Sequence, residues 1–229
     1  MPENEFAQPI GEPVEVHRPD APPRTVMTGT FCELHPLDAS AHGAQLFDSF
    51  CDVDDDGDWT YLPYGPFLSL DHFMPWLETV QDQPDPIFFT VIDRASGGCT
   101  GLASYLRIDA YAASVEVGHI HFSRRIQGTP TTTETMYLMM RTAFDAGYRR
   151  YEWKCDDLNA PSWSAALRLG FTYEGTFKQA THYKGRNRDT AWFGIVDHDW
   201  PPLRTEFERW LAPTNFDARG GQHTPLLNR

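Results

Sequence analysis

The chain has 229 residues, with 19 Lys and Arg against 32 Asp and Glu, a formal net charge of −13 at pH 7. Hydrophobic residues make up 41% and aromatics 14%, enough for one real core and unlike a disordered chain. The acidic balance argues against nucleic-acid and anionic-membrane partners, which need a basic face, and no apolar run approaches the ~20 residues of a membrane span.

Residues 1–24 carry six prolines and no apolar periodicity, and read as a flexible Pro-rich arm. Their first residues lack the pattern of a secretory signal. Cys32, Cys51, Cys99 and Cys155 are scattered without a C-x-x-C pair, which suits free thiols in a reducing cytoplasm. The spacing predicts one domain over 25–212 and a loose C-terminal tail over 213–229. Within the domain, a strand is expected over 26–34 and a helix opened by Asp38 running to about Phe50. A second helix spans 69–79, with Phe73, Trp76, Leu77 and Val80 on one stripe. Strands at 87–93 and 99–108 flank Ser96-Gly97-Gly98 as a hairpin, and another strand follows at 114–123. Thr131-Thr132-Thr133-Glu134 reads as a capping box for a helix that turns Met136, Met139, Met140, Ala143 and Phe144 inward and stops at Gly147. A strand at 151–155, a short helix at 161–169 ended by Gly170, strands at 171–183 and 189–196 around Gly185, and a helix at 200–211 complete the chain. The order implies an α/β domain of α+β type, a mixed, mostly antiparallel sheet flanked by helices.

Few residue patterns point to chemistry by themselves. Asp52-Val53-Asp54-Asp55-Asp56-Gly57 begins like a calcium loop, but Pro63 stands where the bidentate Glu must be. A solvated acidic loop, or one that attracts an amine, fits better. His119 and His121 alternate on one strand and project from one face with no third metal ligand nominated. Packed histidines, or one acting as a general base, are the alternatives, and no metal site is expected. The strand at 115–122 feeds Arg124-Arg125-Ile126-Gln127-Gly128-Thr129-Pro130 and then a helix. The N–H groups and dipole of that helix start suit a phosphate or pyrophosphate.

Asn159-Ala160-Pro161-Ser162, separated by six residues from Leu169-Gly170-Phe171, resembles the GNAT N-acetyltransferase superfamily. The run Tyr173-Glu174-Gly175-Thr176-Phe177-Lys178-Gln179-Ala180, with Gly185, Asp189 and Glu116-Val117-Gly118, resembles its RimJ/RimL-like branch. The resemblance implies acetyl transfer from acetyl-CoA to a primary amine, on a small molecule or a peptide N-terminus, by direct attack in a ternary complex. It implies splayed fourth and fifth strands, here 115–122 and 151–155, with backbone N–H groups near Ile120, His121 and Phe122 binding the pantetheine and facing the developing oxyanion. Arg125 and Gly128 match the first and fourth positions of the family's pyrophosphate loop, which also takes in Ile126, Gln127 and Thr129. The sixth position is Pro130, which has no N–H. Hydroxyls of Thr129, Thr131, Thr132 and Thr133 are expected to replace that contact. Asn159 and Ser162 match positions that meet the pantetheine arm and thioester sulfur, with Ser162 protonating the departing thiolate. Where relatives can place a base Glu, this chain has Thr181 beside His182. Glu116, His119 and His182 are the candidate proton acceptors, Glu116 the first of them. Asp56, Trp59, Tyr61 and Tyr64 lie where the branch builds its acceptor cleft, and a homodimer stays open. A silent acyl-CoA-binding module and a scaffold without cofactor are the competing readings.

Overall fold

The computed structural model describes residues 1–15, 17–51, 56–217 and 220–227. Eight strands form one sheet in the order β1-β2-β3-β4-β5-β6-β8-β7, and every adjacent pair is antiparallel except β5 and β6. In chain order these are β1 (Met27–Thr28), β2 (Cys32–Pro36), β3 (Ile87–Asp93), β4 (Cys99–Asp109), β5 (Ser114–Phe122), β6 (Arg150–Asp156), β7 (Thr172–Tyr183) and β8 (Arg186–Val196). The helices are α1 (Ala39–Phe50), α2 (Leu70–Val80), α3 (Pro130–Asp145), α4 (Ala160–Arg168) and α5 (Trp200–Leu211). The mixed, mostly antiparallel sheet flanked by helices matches the expected architecture.

Two cores lie on opposite faces of the sheet. Leu46 of α1 and Phe73 and Leu77 of α2 pack with Phe88 and Leu102 on one face. Met136, Met139, Met140 and Ala143 of α3 join Phe207 of α5 and Phe89, Val115, Val117 and Tyr151 on the other. Neighbouring Phe88 and Phe89 thus serve different cores, as strand alternation requires. Asp38 caps α1 by accepting from the N–H of Ala41 at 3.0 Å.

Two local expectations are corrected. The strand at 26–34 is broken into the hairpin β1–β2 by a buried anion. Glu134, 3% exposed, accepts from the backbone N–H groups of Thr30, Phe31 and Cys32 at 2.7, 2.5 and 2.8 Å. The turn must be glycine at 29, where an added Cβ would sit 2.3 Å from the Glu134 carboxyl carbon. Glu134 therefore closes no capping box. The N-cap of α3 is Thr129, and its side chain makes no cap bond. The tail also differs from a loose segment. Asn215 donates to the carbonyls of Trp210 and Thr224 and accepts from Thr224, while Leu226 is buried in the core. Among the described residues no helix is long and apolar enough to cross a membrane.

Candidate active site

The parallel ladder between β5 and β6 ends at Val117 opposite Trp153, although β5 continues to Phe122 and β6 to Asp156. A bulge opens this split. The β4–β5 register shifts between Leu102 and Ser104, and His119 has φ of +51°, in the left-handed region. An extra residue bends a strand and interrupts its pairing, so 118–122 turn away from β6. That places Ile120, His121 and Phe122 on a strand edge beyond the ladder.

The two histidines face the α1–α2 side, as alternation predicts. His121 is 5% exposed, its ring 4.0 Å from Trp59 and 4.2 Å from Phe50. His119 stacks on Tyr64 at 5.5 Å, with Nδ1 3.2 Å from the Tyr64 hydroxyl. Burial lowers both pKa values to about 4, and for His119 the charges of Arg107 and Arg188 add to the effect. Both imidazoles are neutral at pH 7. Tyr61 reaches across to donate to the Leu158 carbonyl at 3.1 Å, and Lys184 donates to the Trp59 carbonyl at 2.7 Å. The segment around Trp59, Tyr61 and Tyr64 thereby bridges α1 to the β6–α4 and β7–β8 turns. Asp56 is exposed on its rim, and Asp52 to Asp55 lie outside the described residues.

Beyond β5, the loop to α3 folds tightly on itself. The Ser123 carbonyl accepts from the N–H groups of Ile126 and Gln127 at 3.1 and 3.3 Å, and Ile126 is buried. Gln127 donates to the Phe122 carbonyl, Arg124 pairs with Asp58 at 3.0 Å, and Arg125 lies 3.7 Å from Asp48. Gly128 has φ of +74° with open space beside it, a conformation suited to glycine. The threonine hydroxyls correct one expectation. Those of Thr129, Thr131 and Thr132 donate to the Ile126 carbonyl, Asp93 and the Thr129 carbonyl, so they do not replace the donor missing at Pro130. Helix geometry leaves the first-turn N–H groups of Thr131 and Thr132 without intrahelical partners. Arg168 of α4, which sequence reasoning missed, brings a guanidinium to this end by donating to Thr133 Oγ1 at 2.7 Å.

At the other lip, Asn159 is the N-cap of α4 and accepts from the N–H of Ser162 at 3.2 Å. The Ser162 hydroxyl oxygen accepts from the Trp153 indole at 3.0 Å. Trp153 is the last β6 residue of the parallel ladder, so Ser162 sits at the split itself.

On the face shared with His119, β6, β7 and β8 enclose a cleft of about 230 Å³ lined by Arg107, Lys154, Thr181, Arg188 and Trp192 among others. Its floor is an ion-pair network. Glu116, 3% exposed, accepts from Arg107 at 2.6 Å and pairs with Lys154 at 2.8 Å. Lys154 also pairs with Glu152 at 2.7 Å, and Glu152 with Arg150. Both Glu116 oxygens are thus engaged by cations rather than presented to a substrate. His182 is exposed near the β7–β8 turn and does not line the cleft, whereas its neighbour Thr181 does. No spacing in the sequence could have assembled Arg107, Lys154 and Arg188, which stand on three different strands. Among the described residues no group of three His, Cys, Asp or Glu is placed to hold a metal ion.

Residues 33–172 match the sequence model of the acetyltransferase (GNAT) domain. The chain belongs to the GNAT acetyltransferase family. A GCN5-related N-acetyltransferase from Brucella melitensis is 42% identical, with a TM-score of 0.89 over 91% of this chain and 95% of that one. A GNAT-family acetyltransferase from Chromobacterium violaceum is 38% identical, with a TM-score of 0.77 over 84% of this chain and 98% of that one. The RimL ribosomal L7/L12 alpha-N-protein acetyltransferase shares 20% identity at a TM-score of 0.64, covering 75% of this chain and 94% of that one, a likeness of fold. A search of curated proteins finds no match. GNAT membership supports acetyl transfer in general and implies acetyl-CoA as co-substrate. The split β5–β6 pair, the open turn at Gly128 and the α3 N-terminus fit such a molecule, although Pro130 removes one donor.

Proposed function

We propose that this GNAT protein transfers the acetyl group of acetyl-CoA to a primary amine, on a small molecule or a protein N-terminus, by direct attack in a ternary complex. One observation carries the reading: the β5–β6 ladder stops at Val117 and Trp153 with Ser162 at one lip and the α3 N-terminus at the other. The loop residues Arg125, Ile126, Gln127, Gly128 and Thr129, with the N–H groups of Thr131 and Thr132 and the Arg168 guanidinium, hold the pyrophosphate. Asn159 and the edge of β5 at 120–122 align the pantetheine arm, and an N–H near Ile120 or His121 faces the charge that develops on the carbonyl oxygen. Holding both reactants in line contributes several kcal/mol, up to roughly 7–11, of the barrier.

His119 accepts the amine proton, directly or through water, because it lies on the bulge that opens the split. Ser162 donates its hydroxyl proton to the departing thiolate, its oxygen already held by Trp153. Glu116 acts as a positioning residue that fixes Lys154 and Arg107. Tyr61, Tyr64 and Trp59 form the aromatic wall of the acceptor side, with Asp56 at its rim. The protein is assigned to the cytoplasm on its reduced cysteines, and to the RimJ/RimL-like branch on the run from Tyr173 to Ala180.

Calorimetric titration with acetyl-CoA, with free CoA as control, tests the reading. Micromolar binding followed by amine-dependent thiol release supports it. Absence of binding would show that Pro130 has disabled the pyrophosphate loop, and the scaffold reading would replace it. Binding without turnover of any amine would establish the silent acyl-CoA binder.

A further inference from the structure

The described residues lining the acceptor-side cleft include the cations Arg107, Lys154 and Arg188 and no carboxylate. Two buried N–H groups there, Arg188 Nε and Trp192 Nε1, have no hydrogen-bond partner among the described residues. Leaving such a donor unpaired is costly, the more so for a charged group. Arg107 and Lys154 are matched by Glu116 and Glu152, and the Lys154 ammonium rests 3.8 Å from the centre of the Trp192 ring. Arg188 lies over the Tyr183 ring at 5.9 Å, and Tyr183 in turn gives its hydroxyl to Asp156 at 2.7 Å. Among the described residues Arg188 makes no ion pair, so the cleft they form carries one uncompensated positive charge beside two donors without a hydrogen-bond partner.

We propose that the acceptor is a small amine bearing a carboxylate or phosphate, and that this anionic group enters the cleft and is bound by Arg188 with the Trp192 indole. The proposal rests on the acetyl-transfer reading and narrows its substrate class. The cleft starts beside the reacting centre, because Lys154 is the first β6 residue past the end of the parallel ladder. An anion there places the amine toward His119 and the split. A cleft of about 230 Å³ is smaller than the usual 300–1,000 Å³ of drug-sized sites, which favours a small metabolite over a peptide. Guanidinium and indole donors match the acceptor-only oxygens of a carboxylate or phosphate.

Tryptophan fluorescence of the full chain is titrated with inorganic phosphate and with 3-aminopropionate, using sodium chloride at equal ionic strength as control. Wild type, Arg188→Gln, Arg188→Lys and Trp192→Phe are compared after thermal melts establish that each is folded. Saturable quenching in wild type, lost in Trp192→Phe and weakened about ten- to hundredfold in Arg188→Gln, is expected, since a charge-assisted hydrogen bond is worth roughly 1.5–3 kcal/mol. Arg188→Lys should keep part of the response. No saturable change, or an unchanged response in Arg188→Gln, overturns the proposal. In steady-state assays, 3-aminopropionate should exceed its amide at least about tenfold in kcat/KM, mostly through KM, and equal use of the pair also overturns it. Phosphate quenching without acetyl-CoA binding would instead remove the acetyl-transfer reading while leaving the anion site standing.

Discussion

Replacing Glu116 by glutamine removes one carboxylate from the water-shielded centre of a network whose outer member Arg107 is exposed. Glu116 is 3% exposed, the Lys154 side chain is 6% exposed, and the two meet at 2.8 Å. Removing one partner of a buried pair costs about 3–5 kcal/mol, because the remaining charge stays desolvated. The lower end applies here. Glutamine keeps an oxygen that can accept from Arg107, and Lys154 retains Glu152 at 2.7 Å, itself shared with Arg150. A loss of about 3 kcal/mol lowers the Tm of a chain this size by about 6–12 °C. Differential scanning calorimetry at pH 7 measures it, together with Lys154→Met and the double variant. The double variant should be less destabilised than the sum of the singles by about 1 kcal/mol or more, because it removes both charges at once. A Glu116→Gln melt within about 2 °C of wild type (about 0.5–1 kcal/mol by the same conversion), or strict additivity, would refute the reasoning. The same variant separates positioning from chemistry. If Glu116 positions Lys154 and Arg107, the acidic limb of the pH–rate profile survives in Glu116→Gln and the loss falls on acceptor KM. Disappearance of that limb would make Glu116 the base.

His119 and His121 have folded pKa values of about 4 against an ordinary 6.5, so the unfolded chain binds more protons between those values. Stability therefore falls as pH is lowered from 6.5 toward 4, by about 2–3 kcal/mol per histidine at pH 4.5. Urea unfolding of His121→Phe should show a correspondingly shallower pH dependence than wild type, and identical slopes would contradict the burial argument. Glu134→Gln should cost about 2–3 kcal/mol by weakening charge-assisted bonds to Thr30, Phe31 and Cys32, read as a lower urea midpoint. Ser162→Ala should reduce kcat about 10²-fold with acetyl-CoA affinity intact; full turnover would reject its role as acid.

The sequence patterns that foretold structure were local. The apolar stripe of α3, the Asp38 cap and the glycine stop after α4 depend on neighbours within a turn or two, and each stands where the spacing puts it. Glu134 departs from its local pattern for the opposite reason. Its partners lie on the β1–β2 turn, far away in sequence, and a capping-box pattern cannot reveal that a carboxylate is engaged elsewhere. The GNAT motif marked Asn159 and Ser162 directly. The charged cleft was invisible because its residues come together through strand register, Lys154 opposite Trp192 and Thr181 opposite Arg188. Tyr64 and His119 likewise meet only once the bulge turns β5.

The position of β8 between β6 and β7 has a consequence for how the molecule is made. Emerging from the ribosome, β6 and β7 are both synthesised before the strand that joins them. Until residue 196 is available, β6 presents Tyr151, Trp153 and Cys155 on an open edge, an invitation to pair with other chains. The charged cleft is consequently among the last features to form, closed by a long-range insertion of the kind that slows folding. Chains shortened before β8 should accumulate as aggregates, whereas loss of the segment after α5 leaves every strand of the sheet in place.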